Sequence, residues 1–366
     1  MDVENLGLTP AERRLAEALD GSDEALEALA RRDDGGDLAR RHRAGPALAL
    51  RTVARALTTP TSWHRDLLAA AMRHLQARAT VEEAGERLAA AGVEWVPFKG
   101  YDMATRFYAA AEERPATDVD LLILPARLAA AREALAADGW QPLFTGRRYE
   151  DFLAEESYAW LARKADRTLI EVHYRLWGMA PEGLAEALFE RSRPDPGLPP
   201  GGGRLRPADA YFVAAVHTWL TPPPRPLTSW WDLAQISAGL TAQEVDDVVD
   251  AAREWDLALP VALAAEISAD LWRRDGCRAI ASRLAASLRP VERRVASRAR
   301  RRGLTGLTLA RLQAARLLSG RRSRQGWLTV WRRVWAHPGV VERSTPEEWP
   351  WIRRRLVSLG RSLGPG

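Results

Sequence analysis

Four short strand-like runs interrupt a chain that otherwise reads as amphipathic helix, and they confine any sheet to the middle of the molecule. VEWVPF (93–98) alternates and is bounded by Gly92 and by Lys99-Gly100. DVDLLIL (118–124) begins with two aspartates and runs on apolar, while ESYAWLARK and TLIEVHYRLW flank the turn residues Ala165, Asp166 and Arg167. Between the first three runs lie the helical stretches YDMATRFYAAAEER and PARLAAAREALAADGW, the second ending near Gly139. The order strand, helix, strand, helix, strand, strand predicts an α/β or α+β unit of about 90 residues.

Helical sequence surrounds this unit. TPAERRLAEAL carries Thr9 as N-cap, Pro10 at the first helical position and Glu12 at the third, a capping box. Further Ala/Leu/Arg-rich helices continue to residue 91, and RPDPGLPPGGGRLRP reads as a linker or loop before helices resume. The expectation is an α+β chain, mostly helical. Its parts are an N-terminal helical region (1–91), a sheet-containing core (92–192), a linker or loop (193–207), a helical region (208–290) and a basic tail (291–366).

Charge divides along the same line. Residues 291–366 carry 18 Arg against 4 Glu, so the net +5 of the whole chain combines an acidic body of net −9 with a tail of +14. No run reaches the roughly 18 apolar residues that span a bilayer, and the first residues lack the apolar segment of a secretory signal, so a cytoplasmic protein is expected. The single cysteine, Cys277, leaves no intramolecular disulfide and no cysteine-built zinc cage, and suits a structural role. Lysine occurs only at Lys99 and Lys164 among 53 basic residues. A compact ammonium does what a planar guanidinium does not, and this draws attention to Lys99.

Asp118 and Asp120 stand one residue apart on a strand and therefore share a face, with Val119 and Leu121 on the other. They are either a turn cap and a solvated strand edge, or two carboxylates that need a cation between them, and hard oxygen donors suit Mg²⁺. Lys99-Gly100 marks a strand-to-helix turn, which serves either as a plain connection or as a phosphate site with free helix amides and a mobile ammonium. Glu171 in LIEVHYRLW offers a third carboxylate, with His173 on its own side of the strand. Such a triad can hold metal ions, or hold one while accepting a proton from an attacking hydroxyl.

Lys99-Gly100, a helix with Phe107-Tyr108 near its end, then Arg114-Pro115 and Asp118-Val119-Asp120, resembles the uncharacterised nucleotidyltransferases of the DNA polymerase beta superfamily. The resemblance is strong over about residues 90–180 and continues weakly through His217 and Trp231-Asp232. It implies a mixed sheet with flanking helices, Mg²⁺ (or Mn²⁺) on Asp118, Asp120 and Glu171, and an NTP triphosphate at Lys99, Gly100 and Tyr101. A nucleoside monophosphate would pass to an acceptor, a small molecule, sugar or peptide, as pyrophosphate leaves. The wider superfamily has Gly-Ser or Gly-Gly where this chain has Lys99-Gly100-Tyr101, so phosphate contacts fall to backbone amides, Lys99 or Tyr101.

Arg114, four residues before Asp118, either reaches a triphosphate oxygen or pairs with one of the site's carboxylates, and His173, His217 and Asp232 are candidate substrate contacts or supports of the acidic residues. In the tail, Trp327, Trp331 and Trp335 recur every four residues among arginines. They suit a helix docked on the acidic body, an acidic protein or a membrane surface. No nucleic-acid recognition motif accompanies the charge, and no nucleic-acid partner is expected. The alternative to an enzyme is a nucleotidyltransferase fold kept as a binding or accessory module for a biosynthetic peptide or partner enzyme.

Overall fold

Thr9 starts the first helix by the reciprocal bonds of a capping box: its hydroxyl accepts the Glu12 N–H at 3.2 Å and Glu12 Oε2 accepts the Thr9 N–H at 2.7 Å. The computed structural model describes residues 8–146, 150, 153, 157–176, 180–220 and 226–302. The expectations for Trp327, Trp331 and Trp335 lie outside these residues. From Thr9 the chain runs through α1 (Pro10–Asp20), α2 (Asp23–Ala30), α3 (Gly35–Arg41), α4 (Gly45–Ala54) and the 30-residue α5 (Thr61–Ala90). The sheet region follows as β1 (Val96–Phe98), α6 (Gly100–Phe107), β2 (Asp118–Leu122), α7 (Leu128–Ala137), β3 (Gln141–Pro142), β4 (Ala159–Arg163) and β5 (Leu169–His173). Next come α8 (Leu184–Arg191), the short strands β6 (Arg193–Pro194) and β7 (Gly203–Arg204), then α9 (Pro207–Leu220), α10 (Leu227–Ser237) and α11 (Ala242–Glu254). The described helices end with α12 (Ala258–Trp272), α13 (Asp275–Ser287) and α14 (Pro290–Arg302). The chain is mostly helical with one small mixed sheet, an α+β architecture, and none of the described helices is long and apolar enough to cross a membrane.

Five strands form that sheet in the order β1-β2-β5-β4-β3. β2 and β5 are parallel and the other pairs antiparallel. β3 escapes a periodicity reading because its two residues, one of them Pro142, show no alternation. The glycine-rich stretch expected as a linker or loop pairs back on the sheet region. β6 and β7 form a hairpin, and Trp95 exchanges backbone bonds with Gly201 (3.0 Å) and Gly203 (2.9 Å). A Cβ on Gly202 would lie 2.8 Å from Leu198 Cβ and 3.0 Å from the Trp95 ring, so this close approach needs glycine.

The two faces of the sheet have different neighbours. Val119, Leu121, Ile170, Val172 and Trp160 are buried together with residues of α5 and α7. On the other side, Phe98 and Leu122 join a second core built from α1–α4 and α8–α14. The N-terminal and C-terminal helical regions thus share one apolar interior, and Trp272 of α12 donates its indole N–H to Ala16 O of α1 at 2.9 Å.

His42 joins these regions through polar contacts. Its Nδ1 accepts the Leu227 N–H at the start of α10 (3.2 Å), which leaves Nε2–H to donate to Glu12 Oε1 (3.1 Å). Burial pushes the His42 pKa below its ordinary value, outweighing the pull of Glu12. Protonation would set a second N–H against the Leu227 amide. The neutral ring therefore contributes stability that is fully present above the unfolded value of 6.5 and is lost as pH falls through the folded one. His42→Ala is expected to lower stability by about 2 kcal/mol at pH 7.5, with the deficit shrinking as melts are repeated down to about pH 5.5.

Candidate active site

Parallel pairing decides which side chains meet. In the β2–β5 register Asp118 lies beside Leu169, Asp120 beside Glu171 and Leu122 beside His173. Registered neighbours point to the same face, so Asp120 and Glu171 project together, away from the core under α5 and α7. Asp120, Glu171 and His173 each offer one donor atom, and these atoms lie within 4.8 Å of one another. His173 Nε2 is 2.8 Å from Asp120 Oδ1 and 3.3 Å from Glu171 Oε2. Its ring is fully buried, edge-on to Phe98 at 4.9 Å and stacked on Tyr158 at 5.6 Å, which fixes its orientation.

Lys99 completes the cluster from the neighbouring strand end. Its Nζ donates to Asp120 Oδ1 at 2.8 Å and lies 3.3 Å from His173 Nε2. The backbone there has φ 58° and ψ −132°, a left-handed conformation that costs a non-glycine residue about 1 kcal/mol or more. The strain sits where the chain turns from β1 into α6, a helix with no side-chain cap at its N-terminus. Asp102, one turn into α6, is buried and held by Arg106 (2.9 Å) and by Arg204 of β7, which ties the helix to the hairpin.

These contacts separate the carboxylates electrostatically. Burial alone would raise Asp120, but the Lys99 ammonium and His173 hold it well below the usual carboxylate range. Burial would likewise lower Lys99, and Asp120 reverses this, so Lys99 stays protonated. At Asp118 the pull of Lys99 and Arg114 is outweighed. Burial, then the charges of Asp120 and Glu171, push it up to about 6, and Asp118 lies outside the three-residue donor group. The oxygens of Asp120 and Glu171, with Asp118 close enough to feel both, suit Mg²⁺ or Mn²⁺, and His173 adds a nitrogen.

Arg114, close enough to act on Asp118, is bound to a different carboxylate. Its guanidinium grips Asp232 of α10 bidentately, Nε to Oδ1 at 3.0 Å and Nη2 to Oδ2 at 2.8 Å, while Nη1 donates to Pro115 O at 3.1 Å. Tyr108 donates its hydroxyl to the same Asp232 Oδ1 at 2.7 Å. Gly100 packs beneath this pair: a Cβ there would stand 3.3 Å from Arg114 Nη1. The carboxylate partner of Arg114 is therefore not one of the acidic strands' residues, as the sequence alternative had it, but the aspartate of Trp231-Asp232. Tyr101 stacks on His74 at 5.7 Å and lines a separate cavity of about 230 Å³ with Arg78, Thr105 and Arg204. His217 is half-buried in α9 and outside the donor group. No role was expected for Asp102 or for the Tyr108 hydroxyl; Asp102 lies within α6 and Tyr108 just past its end, and neither spacing points to the partners they meet.

A family model for an uncharacterised nucleotidyltransferase matches residues 33–273. The chain belongs to that uncharacterised nucleotidyltransferase family. The family match opens just before α3 and closes at the end of α12, so it contains the acidic strands together with the Arg114–Asp232 contact. A comparison with curated proteins finds no match.

Two stability measurements check this geometry. Arg114→Met leaves a buried carboxylate without its counter-ion and is expected to cost about 3–5 kcal/mol in chemical denaturation. Asp118→Asn should have the opposite effect. The Asp118 pKa is raised in the folded state, so its ionisation penalty is fully present above about pH 6 and fades toward 3.8. The variant is expected to melt above the native chain at pH 7.5, by about 1–2 kcal/mol, with the gain lost near pH 4.

Proposed function

We propose that the chain is a Mg²⁺-dependent nucleotidyltransferase that moves a nucleoside monophosphate from an NTP to an acceptor hydroxyl or amine and releases pyrophosphate. The observation that carries this reading is the side-by-side projection of Asp120 and Glu171 from parallel strands within reach of Lys99. Asp118, Asp120 and Glu171 are the proposed metal ligands. The ion would supply charge neutralisation to the attacking and leaving oxygens.

The chain's own residues have distinct jobs in this proposal. Lys99 and the amides that open α6 receive phosphate oxygens, the role that the lysine's mobile point charge and an uncapped helix start both favour. His173 orients the Asp120 carboxylate through the 2.8 Å contact. Glu171 is the most solvent-facing of the three clustered donors, 20% exposed against 5% for Asp120 and 0% for His173, and it accepts the acceptor's proton. Arg114 positions the loop that leads into β2, through Asp232, without touching substrate.

A second reading has its own observation. The Lys99 ammonium pairs directly with Asp120, and an internal cation of this kind also neutralises an acidic cluster in a protein that no longer binds metal. One experiment separates the two. Calorimetric titration with each NTP plus Mg²⁺ or Mn²⁺, followed by pyrophosphate release, should show binding and turnover in the native chain. Asp120→Asn should reduce turnover by about a thousandfold or more. A folded native chain that binds no NTP with either metal would establish the accessory reading instead.

A further inference from the structure

Helix α5 buries only one side of its length. Ala70, Ala77 and Ala84, spaced by seven, face the molecule's interior. On the opposite side Leu68, Met72 and Leu75 are 55%, 59% and 59% exposed, three of the few large apolar side chains that the described residues leave open to water. Their spacing of four and then three, continued by the partly exposed Ala79, is that of a coiled-coil seam, with Leu68 and Leu75 at one core position and Met72 and Ala79 at the other. Of the flanking positions, Ala69 and Ala71 are small and Gln76 and Arg78 long; in an antiparallel pair each small one lies opposite a long one, which lets a second helix approach within about 8–10 Å.

The seam is complementary to itself. With two copies of α5 antiparallel and a twofold axis between Met72 and Leu75, each Met72 meets Leu75 of the other copy. Each Leu68 then meets an Ala79, the large side chain filling the space the small one leaves. At both ends of the seam Arg65 of one copy faces Glu82 of the other, opposite charges at the matching core positions, with Glu82 shared with Arg78 of its own helix at 2.8 Å. Antiparallel coiled coils bring unlike core positions together in this way, and an isologous dimer needs the same patch on both subunits. A parallel pairing would instead place Arg65 against Arg65 and Glu82 against Glu82. The basic tail is a poorer occupant, because Arg65, Arg73 and Arg78 border the stripe and repel a segment of net +14.

We infer that the exposed stripe of α5 is the interface of an antiparallel homodimer, centred between Met72 and Leu75. The interface lies on the helix surface facing away from the Asp120 cluster's sheet and does not depend on nucleotide chemistry. A seam of some 18 residues is about 27 Å long, and a dimer held by it alone is expected to dissociate on dilution.

The test is sedimentation of the full chain from about 1 to 100 μM. A dimer of twice 40.6 kDa that dissociates on dilution is expected. Met72→Glu with Leu75→Glu should give a folded monomer, as judged by an unchanged thermal melt. Arg65→Glu should weaken the dimer by about tenfold, and adding Glu82→Arg should restore it. Cysteines separate the registers, since the natural Cys277 is buried. The double variant Met72→Cys, Leu75→Cys should cross-link on oxidation. Leu68→Cys alone should not, because the two copies of that residue lie about 16 Å apart along the seam. A full chain that stays monomeric throughout, a dimer that survives the double glutamate change, or cross-linking of Leu68→Cys would each overturn the proposal.

Discussion

The parallel pairing of β2 with β5 is the contact on which the candidate site depends. It sets Asp120 beside Glu171 and brings His173 within 2.8 Å of Asp120. Two carboxylates projecting from one sheet face repel each other, and burial in a low-dielectric setting strengthens the repulsion. The fold answers it locally. Lys99 enters from the end of β1 in a strained backbone conformation and neutralises Asp120, while at Asp118 burial and the two neighbouring carboxylates outweigh Lys99 and Arg114, so it binds its proton more tightly than a free aspartate. An arrangement that keeps one charge unrelieved is unfavourable for stability and suited to receiving a cation or an anionic substrate with its metal.

Arg114 and Asp232 transmit this arrangement to the rest of the molecule. Their bidentate contact, joined by Tyr108, fixes the loop before β2 to α10, and α10 lies in the apolar core shared with the N-terminal helices. The ends of the family match, residues 33 and 273, enclose both halves of that contact. The helices around the sheet are thus part of what holds the acidic strands in place. Removing one partner would strand a buried charge, the costliest kind of single change in a protein interior.

Much of the fold was legible along the chain because its signals are local. The capping box at Thr9, the strand runs around Phe98, Asp118 and Glu171, and the helical periodicity on either side all appear in the structure, with boundaries a few residues shorter than the apolar runs suggest. The β3 strand and the β6–β7 hairpin were not legible, since two-residue strands carry no period and their pairing rests on distant partners. At the site, Asp120, Glu171 and His173 were named from the sequence, while Asp118, expected beside them, lies outside the donor group, and Arg114 was divided between a phosphate and one of the site's carboxylates. That division could not be resolved from spacing, because Asp232 lies 118 residues away.

The sequence by itself determined the helix and strand alternation, the shared face of Asp118 and Asp120, and the unusual position of Lys99 among arginines. These follow from the period of two along a strand and from residue chemistry. Only the tertiary structure decided which carboxylates meet, that Lys99 lies on Asp120, and that Arg114 is held by Asp232. The reason is physical: strand register and helix docking are set by burial of apolar faces across the whole chain, and electrostatic partners are chosen only after that burial brings distant residues together.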